Sequence, residues 1–292
     1  MNSLLAEAVK RDACPLRRSF FERPAGSDSL TPLASLLRTQ GEHGGKGAAL
    51  RVSLLLSIIW LCAREPYTTS RVAGYWAELL DRDDPRGEGA RAVRDCLHEL
   101  AERGFIRLST SGSRIVIAPL MEDRATDIAG QPAPYEPPYS GGSYVTVPRA
   151  FWTEGLAGTL SGAGLAMYLV ALAMTRHDDP EFYLSGAFFD ERFGISRSSR
   201  KRGLAELVSR GVLDVRVQQE PDLTTFRIMR RNIYTVTPAY LQLPPRENPT
   251  PTTEPKSPEG TTAVIKRSKR GESAAVEPEE LRTPRRRRRQ SS

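Results

Sequence analysis

Between residues 196 and 202 the chain reads Ser196, Arg197, Ser198, Ser199, Arg200, Lys201 and Arg202, and no acid follows until Glu206. Cations and hydroxyls at that density are chemistry for anions. An arginine fork pairs with phosphate, or meets the O6 and N7 edge of guanine for ~1–3 kcal/mol of discrimination between bases. Arg197 and Lys201 are four residues apart, as are Ser198 and Arg202, so on a helix each pair shares a face. The first turn of a helix favours acids, because its free amides make it positive. Cations there oppose local stability, and contact with an external polyanion would explain them. A solvated charged face is the plainer reading. Arg216 and Arg227, with Arg230 and Arg231 after them, are further cations that can hold phosphate without specifying a sequence.

Other chemistry is poorly supplied. Gly44, Gly45, Lys46 and Gly47 lack the spacing and the following Ser or Thr of a phosphate-binding loop. No GxSxG, HExxH or paired-carboxylate constellation occurs. Tyr135, Tyr139 and Tyr144 have no histidine cluster to serve them as nucleophiles. Catalysis is not expected. Cys14, Cys62 and Cys96 lie far apart, as do His43, His98 and His177, so neither a metal nor another cofactor is expected. Cys62 and Cys96, among apolar neighbours, read as small core residues.

The net charge of +7 invites a nucleic-acid partner, but its distribution matters. From Pro244 onward there are 12 Lys and Arg against 7 Glu, leaving the remaining chain at about +2. That tail is rich in Pro, Thr, Ser and Glu and reads as disordered. Its run Arg285, Arg286, Arg287, Arg288 and Arg289 can raise affinity for any nucleic acid through counterion release. The longest apolar run, 52–63, is shorter than the ~20 residues of a membrane-spanning helix. The first thirty residues contain no apolar export signal. A cytoplasmic protein without a membrane partner is expected.

The elements that must position these residues are legible as periodicities. Residues 1–46 look weakly ordered apart from a short helix at 29–38. In the dense segment 48–120, Leu50, Leu54, Ile58 and Leu61 mark a helix. A second helix, through Trp76 and Leu79, is capped by Thr69 or Ser70. A third carries Val93, Cys96, Leu97 and Leu100, and two short strands make a hairpin around 110–113. Residues 121–143, dense in Pro and Gly, read as a linker. Segment 144–243 repeats the order: a strand at 144–147, a helix opening at Ser161, an extended stretch at 182–184, a helix from Ser185, a helix capped by Ser196, and a hairpin. Leu97, Leu100, Arg103 and Gly104 correspond to Leu204, Leu207, Arg210 and Gly211 at a constant offset of 107. The fold expected is mainly α with small β hairpins, an α+β chain of two units and a disordered tail from 244 to 292.

At 195–213 the chain resembles the winged helix-turn-helix superfamily, and the likeness spans both units. The strand and proline at Tyr144 to Pro148 also resemble tandem winged helices of plasmid replication initiators, and Trp76 to Leu80 with Gly89 to Arg91 is similar to poorly characterised actinobacterial proteins. The resemblance implies a third helix in the DNA major groove and a hairpin wing on the backbone. Its expectation is a double-stranded DNA-binding protein: a transcriptional regulator, or a replication initiator of a plasmid or integrated element. A protein-interaction adaptor is the third alternative. In the first unit Arg91, Arg94, Arg107 and Arg114 are candidate DNA contacts, but acids nearly balance them, so self-association or a protein partner is an equal reading.

Overall fold

Charged residues are scattered through the N-terminal segment, yet several of its apolar residues are interior. The computed structural model describes residues 2–38, 47–112, 114–138, 143–176, 178–222 and 227–243. Its first elements are helix α1 (Asn2–Glu7), strand β1 (Ala13–Arg17), a 3₁₀ turn (Arg18–Phe20) and helix α2 (Pro32–Leu37). Weak order over 1–46 is therefore corrected for the described residues; 39–46 lie outside them. Cys14, Leu16, Phe20 and Phe21 are wholly buried. The cations that gave the segment its polar look bind distant partners. Arg11 donates to the Trp60 carbonyl at 3.0 Å, and Arg17 pairs with Glu122 at 3.0 Å. The helix expected over 29–38 starts at Pro32, where Thr31 caps it, accepting from the Ala34 amide at 3.1 Å.

The chain continues through α3 (Ala48–Leu61), α4 (Ala73–Leu79), α5 (Glu88–Glu102) and the hairpin β2 (Ile106–Ser111) and β3 (Arg114–Pro119). After β4 (Tyr144–Pro148) come two single-turn helices, α6 (Ala150–Thr153) and α7 (Leu156–Thr159), which periodicity did not reveal. The second half then runs α8 (Gly162–Met174), β5 (Glu181–Phe182), α9 (Gly186–Phe193), α10 (Arg197–Ser209), β6 (Leu213–Asp222) and β7 (Arg227–Val236). The described residues thus form a mixed helical and small-sheet fold, with antiparallel sheets ordered β1-β4, β2-β3 and β5-β7-β6.

The halves repeat each other in detail. In each, the stretch between the first and second helices touches the returning strand: Thr69 bridges Ile117, and Phe182 pairs with Tyr234. Each third helix stops at a left-handed glycine, Gly104 at φ 73° and Gly211 at φ 68°. A side chain at either would be strained, and the turn returns the next amide to the helix. Phe105 N–H donates to the Leu100 carbonyl at 3.0 Å, and Val212 N–H to Leu207 at 2.9 Å. The second helix of the first half is not capped as expected: Val72 precedes it without a side-chain cap, and Thr69 serves the bridge.

The halves share one interior. Helices α3 and α8 are apolar nearly all round, the pattern of helices enclosed on every side. They pack together, and Trp60 stacks on Trp152 at 4.0 Å between ring centres. Trp152 Nε1 also donates to Ser57 Oγ at 2.9 Å. Strand β1 pairs antiparallel with β4, from Ala13 with Pro148 to Arg17 with Tyr144. The expected linker is not a free spacer over its described part. Glu122 is wholly buried, Tyr135 stands edge-on to Tyr67 at 6.2 Å, and bridges join Leu120 to Pro134 and Thr126 to Pro132. Prolines forfeit amide donors but keep carbonyls, so the segment can line an edge without joining a central sheet.

Candidate nucleic-acid interface

Helix α10 is built from both ends and pressed inward at one point. Ser196 caps it, its hydroxyl accepting from the Ser199 amide at 3.2 Å. Ile195 anchors the preceding turn in the core. At Gly203 the helix crosses α8 so closely that a Cβ would overlap the Ala163 carbonyl and come within 2.6 Å of Met167 Cγ. Gly203, Leu204 and Leu207 therefore face inward and fix which side faces out. The single acid of the helix, Glu206, is turned aside: it accepts from the Ser161 amide at 2.9 Å and from the Ser161 hydroxyl.

The six candidate residues of this helix do not form one face. Arg197, Ser198, Lys201 and Arg202 are exposed. Arg200 instead falls on the inward stripe, three and four residues before Gly203 and Leu204, where the apolar core has ended. Its guanidinium lies over the Phe189 ring at 4.9 Å, and its Nη1 is buried without a hydrogen-bond acceptor among the described residues. Ser199 Oγ is 3.0 Å from the capping hydroxyl of Ser196. Arg197, Arg200 and Lys201 border a broad hollow toward the β6–β7 hairpin, whereas Ser199 and Arg202 border a second one toward α2 and α8.

The hairpin residues also part company. Arg230 is exposed and lines the first hollow with Arg231, whose guanidinium lies over the Tyr183 ring at 5.1 Å. Arg216 reaches across β7 to Glu181, donating through Nε at 3.0 Å and Nη2 at 2.5 Å. That hydrogen bond holds the Glu181 carboxyl below the usual carboxylate range. Arg227 opens β7 opposite Asp222, but its side chain lies outside the described residues. Tyr183 and Asn232 line the same hollow and were missed by sequence reasoning; neither carries a charge signal. Val217 and Ile228 are exposed on the same hairpin face as Arg230.

In the first half Arg91, Arg94, Arg107 and Arg114 are all exposed and form no ion pair with the described residues. The corresponding helix is not uniformly basic outside, because Glu88, Asp95 and Glu102 share that surface. Its Glu99 turns inward and binds Arg51 at 3.1 Å and Arg103 at 2.5 Å. The tail arginines Arg285 to Arg289 lie outside the described residues.

Burial pushes the Cys62 and Cys96 thiols up to about 12, and Cys14 in the same direction. Among the described residues no cluster of His, Cys, Asp and Glu could hold a metal ion, and no helix is long and apolar enough to cross a membrane. Comparison with protein-family models, with curated proteins and with solved structures gives no match for this chain.

Proposed function

We propose that the chain is a site-specific double-stranded DNA-binding protein of winged-helix type, most simply a transcriptional regulator, that lays α10 in the major groove. The outer surface of α10 carries this reading: Arg197, Ser198, Lys201 and Arg202 are exposed, while the one acid of the helix, Glu206, is drawn aside to Ser161. The order helix, strand, helix, helix, hairpin, with sheet order β5-β7-β6, supports the winged-helix assignment. Arg197, Lys201 and Arg202 are the base-reading candidates. Arg230, which is exposed, suits the backbone better than Arg216, which Glu181 occupies. Arg200 belongs to the support of α10, through Phe189, and not to the reading set.

The test is DNA selection with the chain shortened to residues 1–243, with and without alanine at Arg197, Lys201 and Arg202. The unsubstituted protein enriches a defined motif, and the triple variant loses that motif preference. If the shortened chain enriches nothing while the full chain binds every sequence, the tail is the DNA-binding element and the folded part is an adaptor for a protein partner. A second reading, a replication initiator, is favoured by the shared core, which holds both third helices in one body. It predicts iterated copies of the motif at an origin instead of a single operator.

A further inference from the structure

We infer that the half-open hollow bordered by α2, α8, α10 and the start of α3 binds a small organic anion, and that its occupant controls the grip of α10 on DNA. The second clause rests on the DNA-binding reading; the first does not. The hollow measures about 650 Å³, within the range of small-molecule sites. Its walls are apolar and small: Ala34 and Leu37 from α2, Ala163 and Ala166 from α8, and Ile195 before α10. An occupant therefore needs an apolar body.

The charge at the rim selects its sign. Arg38, after α2, and Arg202, on α10, both line the hollow, and neither guanidinium has an acceptor among the described residues. Three helices begin here, α3 at Ala48, α8 just after Ser161 and α10 just after Ser196, and each brings the positive end of its dipole. Two groups offset them in part. The hydrogen bonds that Glu206 accepts from Ser161 do not cancel its carboxylate charge, so against Arg38 and Arg202 it leaves the rim one positive charge in excess. The carbonyls at the end of α2 are taken by buried arginine: Arg51 binds Leu36 at 2.7 Å, and Arg103 binds Ser35 at 2.7 Å. An apolar molecule bearing a carboxylate or sulfonate meets all of these demands. It would draw Arg202 toward the hollow and away from phosphate, so ligand and DNA oppose each other through one side chain, and each lowers the affinity of the other by the same factor.

The probe is 8-anilinonaphthalene-1-sulfonate, an aromatic body with one anionic group, titrated into the full chain by fluorescence. One saturable site is expected, weakened roughly tenfold by Arg38→Gln and by Arg202→Gln through loss of a charge-assisted bond. Arg197→Gln, an equally exposed cation facing the other hollow, leaves it unchanged. Absence of a saturable site, or equal weakening by Arg197→Gln, overturns the site. A saturating probe should also lower affinity for the selected DNA motif at least about fivefold. A bound probe with DNA affinity unchanged overturns the control, and a chain that binds the probe but no DNA overturns the DNA-binding reading while leaving the site standing.

Discussion

At the scale of single residues, position on the helix wheel decides more than residue type. Arg200 and Lys201 are neighbours in sequence, yet one rests on Phe189 and the other faces solvent. Gly203 sets this division, because only a residue without a side chain allows α10 to lie on the Ala163 carbonyl. Gly203→Ala is therefore expected to destabilise the fold. A methyl forced between the helices costs about 1–3 kcal/mol, against a gain of at most about 1 kcal/mol in helix propensity. Urea denaturation measures the difference; a more stable variant would mean that α10 does not press on α8. Ser196 as a cap and Gly211 as a stop were legible in the sequence, since both act on their own helix. The inward turns of Arg200 and Glu206 were not. Their partners, Phe189 and Ser161, sit on other elements, and no local periodicity encodes those meetings.

Among the elements, strand β1 departs furthest from expectation. Its buried run, Cys14, Pro15 and Leu16, is only three residues long, shows no alternation and contains a proline, so no strand periodicity marks it. Its partner β4 was recognised as a strand, and an isolated strand needs something to pair with. The join is completed by Glu122, which accepts from the Arg17 amide at 2.9 Å and from its guanidinium. Burial raises the Glu122 carboxyl above its ordinary range, although the Arg17 amide and charge pull it down. The folded chain thus holds this proton more tightly than the unfolded chain. Its contribution to stability is full below the ordinary carboxylate range and is lost as pH rises through the raised value. Over that window the urea midpoint of the wild type should fall with rising pH relative to Glu122→Gln, which lacks the titration. Parallel curves would mean that Glu122 titrates alike in both states.

For the whole molecule, the repeat and the shared interior have to be considered together. The repeated order of elements is legible in the sequence, because each third helix ends with the same Leu, Arg and Gly spacing. The fusion of the halves was not, since Trp60 and Trp152 each look like an ordinary core residue of its own half. Residues 144–243 expressed alone lose the Trp60 stack, strand β1 and the flank of α3, and should not melt cooperatively in circular dichroism. A sharp transition for that fragment would show that the second half is an independent domain.

The pairing of β1 with β4 also has a consequence for synthesis. Arg17 leaves the ribosome long before Tyr144, its partner in the register. At typical elongation rates of ~5–20 residues per second, the gap is on the order of ten seconds. During that interval Leu16, buried in the finished protein and opposite Val145 in the register, has no strand beside it. The first half therefore cannot be completed in the order in which it is made. The nascent N-terminus needs shelter until the middle of the chain arrives, and a bulky fusion placed before Asn2 would burden the closing strand more than one placed at the other end.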